Sequence, residues 1–242
     1  MWLVSAALAG EVVVWHAYRG EEAQAIEQLA ASYEKASGDT VRLVDVPFGA
    51  YDSKLETAIP RGNGPDLFLA GHGSLGKWTD MGIVQPWTDA IENVVPATVE
   101  ALTLDETVWG VPLAYKSVVL LYDPRRIHQV PRTIDQLIEV AQRETGHGHY
   151  GLAYQAAEPY FHGAWVHGYG GTLVEDGVAK LDTPEQVKAL ELAYRLAEGE
   201  GIAPKQPTSE LIGKLYSDGR VSFVISGPWF VSDIDRPIAA AP

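Results

Sequence analysis

Short apolar runs alternate along the first half of the chain with segments whose apolar residues recur at helical spacing. Residues 11–16 (EVVVWH), 40–46 and 66–70 have the composition and length of strands. Glycine, which ends helices, follows the first helical segment, and a Gly-Asn-Gly-Pro turn precedes the third strand. This β-α-β-α-β order predicts a parallel sheet with flanking helices. The predicted helices are residues 21–35, with Ala25, Ile26, Leu29, Ala30 and Tyr33 as the apolar stripe, and residues 51–59.

A second alternation of strands and helices follows a long apolar run at residues 111–122. Thr133-Ile-Asp-Gln136 and Thr183-Pro-Glu-Gln186 both have the form of a capping box, which predicts a helix start at each. The second of these helices carries Val187, Leu190, Tyr194 and Ala197 as its predicted core stripe. We therefore expect two α/β lobes, at residues 11–113 and 118–236, a hinge crossing at 114–117 inside a continuous strand, and the start of a return crossing at 237–242.

The first ten residues contain an uncharged run that ends in Ala7-Leu8-Ala9, directly before the polar Glu11. A small residue at each end of such a tripeptide is typical of a signal-peptide cleavage site, so residues 1–10 are interpreted as a signal-peptide remnant. The run is far shorter than the roughly 20 apolar residues that span a bilayer. An artefact in the start of the gene would explain the same residues.

The charge balance narrows the classes of partner. The 242 residues include 18 Lys and Arg against 32 Asp and Glu, which gives a formal net charge of −14. A chain this acidic is poorly suited to nucleic acid or to an anionic membrane, because both bind through basic residues. The chain has no cysteine, which excludes disulfides, thiol nucleophiles and iron-sulfur clusters. With 46% hydrophobic residues it can form a packed core.

One motif leaves an oxidoreductase open as an alternative. Gly71, Gly73 and Gly76 form a G-x-G-x-x-G pattern after a predicted strand, as in dinucleotide-binding folds. That pattern normally occupies the first βα turn, whereas here it follows the third strand, and Gly82 and Pro86 interrupt the segment after it.

Metal and hydrolytic chemistry find less support in the sequence. The histidine pairs His147/His149 and His162/His167 do not bring the three or four ligands that a metal needs, so no metal or other cofactor is predicted. Glu158 stands among aromatic residues, as in a glycoside hydrolase, but such an enzyme needs a second facing carboxyl group. No second acid has a comparable setting, and a glycoside hydrolase remains a second alternative.

Two aromatic clusters fall at strand-to-helix junctions of the second predicted lobe. Glu158-Pro159-Tyr160-Phe161 follows a strand at 150–154, and Gly227-Pro228-Trp229 follows a strand at 221–225. Flat rings can cover the apolar face of a sugar, and a carboxylate accepts strong hydrogen bonds from its hydroxyls. An isolated aromatic residue is more often part of a core or a helix cap. Two such clusters in one lobe favour sugar recognition without catalysis.

The chain resembles the maltose/maltodextrin-binding proteins, the sugar receptors of bacterial ABC importers. The resemblance implies a two-lobed, periplasmic binding protein-like α/β fold with a hinge. Family members are longer, so it also implies that this chain is truncated at its C-terminus and that both lobes are incomplete. It covers residues 12–234, and its most specific motifs are Gly64-Pro65-Asp66, Val111-Pro112-Leu113-Ala114, Glu158-Pro159-Tyr160-Phe161 and Ser226-Gly227-Pro228-Trp229.

The same resemblance implies roles for four residues of the second lobe. Glu158 would bind sugar hydroxyls, Tyr160 and Trp229 would stack on glucose rings, and Phe161 would border the site.

The first lobe and the hinge depart from the family pattern. Arg19 falls in the first binding loop, where it could replace a polar contact to the ligand. In the third strand-end loop, only His72 remains between Ala70 and Gly73-Ser74, where the maltose receptor has an aromatic residue and an Asp-Arg pair. Lys116 stands where the maltose receptor has an acid, and could favour an anionic ligand.

The resemblance finally implies a biological role. A protein of this family captures maltose or maltodextrin-like oligosaccharides and delivers them to the membrane permease subunits of an ABC transporter. It works in the periplasm, or outside the cell in association with the membrane. We expect it to be a monomer that is not an enzyme, has no catalytic residue and does not bind nucleic acid.

Overall fold

The structure, a computed structural model, describes residues 10–175 and 177–241, apart from the side chain of Asp233. The chain forms two compact units, one ending at Tyr115 and the other beginning at Lys116. Except for Gly10, the predicted signal-peptide remnant lies outside the described residues. Across the described ranges, no helix combines the length and apolar character required to cross a membrane.

The first unit contains a three-stranded parallel sheet in the order β2-β1-β3. The predicted β-α-β-α-β order is confirmed, and so is the α/β class. The third strand is shorter than predicted, because only two of its residues pair with β1. The elements of this unit are β1 (Glu11–His16), α1 (Gly20–Ser37), β2 (Thr40–Asp45), α2 (Phe48–Ala58), β3 (Leu67–Phe68), α3 (Leu75–Asp80), α4 (Pro96–Glu100) and a hairpin of β4 (Thr103–Leu104) and β5 (Thr107–Val108).

The core of the first unit lies between the sheet and helices α2 and α3. It contains Trp15, Val46, Tyr51, Leu55, Trp78 and Ile83. On α1, only Ile26 is buried, while Leu29 and Tyr33 are about half exposed. The apolar stripe of α1 is therefore only partly buried. Helical spacing identifies the residues of an apolar stripe on a helix. It does not show how many of those residues contact the sheet.

The second unit contains a four-stranded mixed sheet in the order β11-β6-β10-β7. Strands β10 and β7 run parallel, and β6 runs antiparallel to β10 and to β11. All six residues of β10 are buried, because hydrophobic clusters cover this part of the sheet. The elements are β6 (Val119–Tyr122), α5 (Ile134–Glu144), β7 (Tyr150–Ala153), α6 (Pro159–Gly168), β8 (Val174–Glu175), β9 (Val178–Ala179), α7 (Pro184–Tyr194), α8 (Ser209–Ser217), β10 (Val221–Ser226) and β11 (Ala239–Ala240).

Both predicted capping boxes are confirmed as helix starts. The Thr133 hydroxyl accepts a hydrogen bond of 3.2 Å from the backbone N–H of Gln136 at α5. The Thr183 hydroxyl does the same for Gln186 at α7, at 3.3 Å. Such a side chain satisfies one of the N–H groups that a helix leaves unpaired at its start.

Two predictions about the second half of the chain are wrong. Residues 111–118 form no strand, because an apolar run without a hydrogen-bonding partner strand cannot form a ladder. On α7, the stripe that includes Val187, Leu190 and Tyr194 is exposed, and the residues facing the core are Gln186, Ala189 and Leu192.

Residues 237–242 are expected to begin a return crossing, and this expectation stays a prediction. The structure places β11 in the sheet of the second unit, where it pairs with β6. Ile238 packs on the core beneath that sheet.

Candidate functional site

Strand direction places the predicted residues of the second unit at one edge of its sheet. Strands β7 and β10 are parallel, so the segments that follow them, which contain Glu158 and Trp229, leave the sheet at the same edge. Strand β6 is antiparallel, and its first residue, Val119, pairs with Ser226, the last residue of β10. Lys116, three residues before Val119, therefore lies near this edge as well. Loops at the carboxyl ends of parallel strands are the usual ligand-binding position in α/β folds.

The structure brings Tyr160 and Trp229 together. Their ring centroids lie 6.0 Å apart, with an interplanar angle of 52°. Tyr160 is 55% exposed at the first turn of α6, whereas Trp229 is partly buried. Burial raises the pKa of the Tyr160 phenol, which therefore stays protonated at neutral pH and can donate a hydrogen bond. The two rings form an aromatic surface to which a ligand has access.

Trp229 is held in place by its neighbours. The indole packs against the hydrophobic clusters on both sides of the sheet. It also lies over Gly227, where a Cβ atom would overlap the six-membered ring of the indole. Because Pro228 fixes its own φ at the start of a 3-10 turn, the chain turns sharply between β10 and the indole.

Glu158 presents an unengaged, exposed carboxylate at the start of the helix that carries Tyr160. It occupies the N-cap position of α6, where its backbone carbonyl accepts hydrogen bonds from Phe161 and His162. Its side chain makes no capping bond, and within the described ranges it has no ion-pair partner. An exposed carboxylate next to an exposed ring can accept hydrogen bonds from the hydroxyls of a ligand that stacks there.

Phe161 is placed differently from its prediction as a residue bordering the site. Its side chain is only 8% exposed and belongs to the main core of the second unit. Its ring meets Tyr160 edge-to-face, with centroids 5.5 Å apart. Since α6 turns residue 160 outward and residue 161 inward, Phe161 supports the ring of Tyr160 from below.

The predicted residues of the first unit lie at the carboxyl edge of its own sheet. Arg19 is the exposed N-cap residue of α1, three residues after the end of β1. His72 is exposed in a 3-10 turn that follows β3 and leads into α3. Helix α3 has only six residues, so the glycine-rich loop does not open onto the long helix that a dinucleotide site uses.

Two residues at this edge were missed by the sequence reasoning. Asp45 ends β2, and Phe48, which is 82% exposed, begins α2. The rule that selected the other candidates, a polar or aromatic side chain just after a predicted strand, would have selected Phe48, whereas Asp45 lies inside the predicted strand at 40–46. In the described part of the chain, no group of three or more His, Asp or Glu side chains is arranged to hold a metal ion.

Comparison with known proteins identifies the family. The sequence model of one protein family, described as bacterial extracellular solute-binding protein, matches residues 18–241. This match covers nearly the whole chain. The chain belongs to this family. The predicted resemblance and the predicted fold class are thereby confirmed.

Two relatives of this solute-binding protein are named for the sugars that they bind. The maltotriose-binding protein of Pyrococcus abyssi is 27% identical over 238 residues, which cover 93% of this chain and 51% of that protein. The galactooligosaccharide-binding protein of Bacillus subtilis is 22% identical over 244 residues, which cover 94% of this chain and 57% of that protein. The chain thus spans about half the length of these relatives.

Solved structures share the fold. The maltose-maltodextrin binding protein of Alicyclobacillus acidocaldarius has a TM-score of 0.80 and 26% identity, covering 96% of this chain and 66% of its own. The maltotriose binding protein of Thermus thermophilus, bound with maltotriose, has a TM-score of 0.82 and 24% identity over the same shares of the two chains. At 24% identity the second likeness is evidence for the fold alone.

Proposed function

We propose that this solute-binding protein captures a maltooligosaccharide-type sugar without altering it. The observation that carries the proposal is the pair of rings formed by Tyr160 and Trp229, whose centroids lie 6.0 Å apart, with Glu158 at the N-cap of α6, two residues before Tyr160. A sugar ring has an apolar face and a rim of hydroxyls. The aromatic rings can stack on the apolar face, and the carboxylate can accept hydrogen bonds from the hydroxyls. The names of the relatives support the same class of ligand.

The proposal extends to the place where the protein works. The family is described as extracellular, which supports a periplasmic or membrane-associated extracellular location. Two relatives in Streptococcus pneumoniae are named as solute-binding lipoproteins of a maltooligosaccharide ABC transporter. We infer that the partners of this protein are the permease subunits of such an importer and that it acts as a monomer. The net charge of −14 argues against nucleic acid as a partner.

A titration of intrinsic fluorescence tests the proposal, because the chain has seven tryptophans. The purified chain is titrated with maltose, maltotriose, maltotetraose, galactooligosaccharides and NAD, and each mixture is analysed for new reducing ends. We expect saturable changes with maltooligosaccharides and no new reducing ends. A response to NAD alone, or release of reducing ends, would instead support the oxidoreductase or the glycoside hydrolase.

Two variants connect the signal to the site. Glu158→Gln keeps the size of the side chain but removes its charge, and it should weaken maltotriose binding about tenfold, as expected when a charge-assisted hydrogen bond becomes a neutral one. Trp87→Ala removes a 40% exposed tryptophan of the first unit, and it should lower the total emission but leave the affinity for maltotriose unchanged. If Glu158→Gln binds maltotriose as tightly as the parent chain, the proposed site is wrong.

A further inference from the structure

A cavity of about 460 Å³ lies in the second unit, at the edge of the sheet opposite to Glu158 and Trp229. The chain enters β7 and β10 at this edge, because His149 and Arg220 directly precede these parallel strands. Ligand pockets in proteins commonly have volumes of about 300–1,000 Å³. The charged and titratable side chains that line the cavity are Arg126, Arg143, Arg220, Glu144, His147 and His149.

This lining is positively charged, although the protein as a whole has a formal net charge of −14. Three guanidinium groups against the one carboxylate of Glu144 leave an excess of two positive charges. The chain has 18 Lys and Arg against 32 Asp and Glu, so three arginines around one cavity run against its composition. A local excess of positive charge in a concave site attracts a small anion.

Arg220 is held in a position that leaves its terminal nitrogens available. Its Nε–H donates to the carbonyl of Gly148 at 2.9 Å. Gly148 has a φ of +80°, and a Cβ atom there would lie 3.2 Å from Nη2 of Arg220, so glycine leaves room for the guanidinium. Among the described residues, Arg220 has no carboxylate partner. The free N–H groups of a guanidinium match two oxygens of a carboxylate or a phosphate.

The ion pairs of Arg126 and Arg143 are long or exposed. Nη1 of Arg126 lies 3.3 Å from Oε2 of Glu144, which also accepts a hydrogen bond from the Ser222 hydroxyl. Arg143 pairs with Glu139 on the surface of α5, where the two side chains are 63% and 68% exposed. Exposed pairs contribute little to stability. Both guanidiniums can therefore turn toward a stronger acceptor in the cavity.

The carbonyl end of α5, which would repel an anion, is capped by other donors. Nδ1 of His149 donates to the carbonyl of Glu144, the last residue of α5, at 2.6 Å. The Thr145 hydroxyl donates to the carbonyl of Ala141 at 2.7 Å. These donors satisfy carbonyl groups that a helix leaves unpaired at its end. The guanidiniums are not needed for that purpose.

His149 reports on the charge in the cavity. A carbonyl can only accept, so the proton of the ring lies on Nδ1. A second proton would bind Nε2, which is buried and has no hydrogen-bond partner in the described ranges. Burial lowers the pKa of His149, and the charges of Arg126 and Arg236 lower it further, against the opposing bond to Glu144. An anion beside the arginines would offset part of their repulsion and raise that pKa.

We propose that this cavity binds a phosphate dianion, either free or at the end of a small organic molecule. The two charges of the dianion match the excess in the lining, and its oxygens can accept from guanidiniums that approach from three segments of the chain. A polyanionic surface is a poorer match, because the acidic protein around the cavity would repel it. The site is separate from the proposed sugar site and does not depend on it.

Calorimetry at pH 7 and constant ionic strength tests the ligand. We expect saturable binding of inorganic phosphate and of glycerol phosphate, and the tighter of the two shows whether the phosphate is free or esterified. Acetate carries a single charge and should bind at least about tenfold more weakly, which is the loss of one charge-assisted interaction. Equal binding of acetate and phosphate would contradict the match to a dianion.

Four variants connect phosphate binding to the cavity. Arg220→Gln should weaken it about tenfold, and Arg143→Gln several-fold, since each removes a charged donor. Glu144→Gln keeps the shape of the side chain and removes the negative charge of the lining, so it should strengthen binding several-fold. Arg42→Gln makes the same change of charge in the first unit and should bind phosphate like the parent chain.

The His149 resonance gives a second readout. In protein labelled with ¹⁵N-histidine, phosphate should raise the pH at which His149 titrates, and Arg220→Gln should reduce this effect. The resonance is assigned by its absence from His149→Asn, whose amide can still donate to the carbonyl of Glu144. An unchanged titration of His149 in saturating phosphate would mean that the anion binds elsewhere.

Other results would also overturn the proposal. These are no binding of phosphate, equal binding by Arg220→Gln, Arg143→Gln and the parent chain, and binding of phosphatidylglycerol vesicles without binding of phosphate. Thermal melting checks that each variant folds, and the exposed Arg143→Gln decides the question if Arg220→Gln does not fold. Maltotriose binding should be the same in Arg220→Gln as in the parent chain, because the two sites lie at opposite edges of the sheet.

Discussion

The indole of Trp229 occupies the space that a side chain on Gly227 would need, because a Cβ atom there would overlap the ring. Gly227→Ala should therefore displace the indole from its place beside Tyr160. We expect a weaker affinity for maltotriose, a shifted tryptophan emission and a changed near-ultraviolet circular dichroism spectrum. Gly213→Ala is the matched control, since the space around Gly213 in α8 is open. That control should leave binding unchanged and add up to about 1 kcal/mol of stability, because alanine is the better helix former.

Stacking and hydrogen bonding by Tyr160 can be separated with two variants. Tyr160→Phe keeps the exposed ring and removes only the hydroxyl, whereas Tyr160→Ala removes the whole ring. Since aromatic contacts contribute about 0.5–1.5 kcal/mol beyond the area they bury, Tyr160→Ala should weaken maltotriose binding several-fold, and Tyr160→Phe much less. Calorimetry gives both values. Tyr194→Ala, at a 69% exposed tyrosine of α7, should bind like the parent chain. Equal losses in the two Tyr160 variants would contradict stacking.

Strand β7 packs directly on the backbone of α5. A Cβ atom at the buried Gly151 would overlap the carbonyl group and the Cα atom of Ala141. Backbone atoms of a helix cannot rotate away as a side chain can, so the helix itself would have to move. We expect Gly151→Ala to destabilise the second unit by about 3 kcal/mol, at the upper end of the usual cost of overpacking. Urea unfolding measures the loss. Gly168→Ala, with open space around it, should be nearly neutral and is the control.

Features decided by local sequence could be predicted from the sequence. The threonine N-caps at Thr133 and Thr183 need only the residues within one helical turn, and both form. The strand at Glu11–His16 is continuous and apolar enough to be recognised alone. Strands β7 and β10 are parallel, so the segments that follow them leave the sheet at the same edge. For this reason Tyr160 and the residues after β10 could be assigned to that edge.

Features decided by packing partners could not be predicted. The stripe of Val187, Leu190 and Tyr194 on α7 is as apolar as a core stripe, and only the position of the sheet shows that it faces outward. Phe161 and Tyr160 are neighbours with the same kind of side chain, and the helix phase sends one inward and the other outward. The pairing of His16 with Asp45 depends on register between two strands, which a single sequence does not encode locally.

The buried carboxylate of Asp123 connects the end of β6 to the segment that leads into β11. It is fully buried and accepts hydrogen bonds from Arg236, at 2.8–2.9 Å, and from Arg125. Burial by itself raises the pKa of Asp123, but the hydrogen bonds from Arg125 and Arg236 outweigh it, and the pKa lies below its ordinary value of 3.8. Replacing one partner of a buried ion pair leaves the other charge uncompensated.

The buried ion pair of Asp123 and Arg236 predicts that the free energy of unfolding depends on pH. The pKa of Asp123 is lower in the folded state than in the unfolded state. Its contribution to stability is therefore complete when the pH is above the unfolded-state pKa, and it is lost as the pH falls through the folded-state pKa. At pH 7, Asp123→Asn should lower the free energy of unfolding by about 3 kcal/mol, the cost of breaking a buried pair. Urea unfolding between pH 7 and pH 3 should show the difference from the parent chain shrinking at the acidic end. Asp89→Asn, at an exposed acid, should follow the parent chain throughout. A difference that stays constant with pH would mean that the charge on Asp123 does not stabilise the fold.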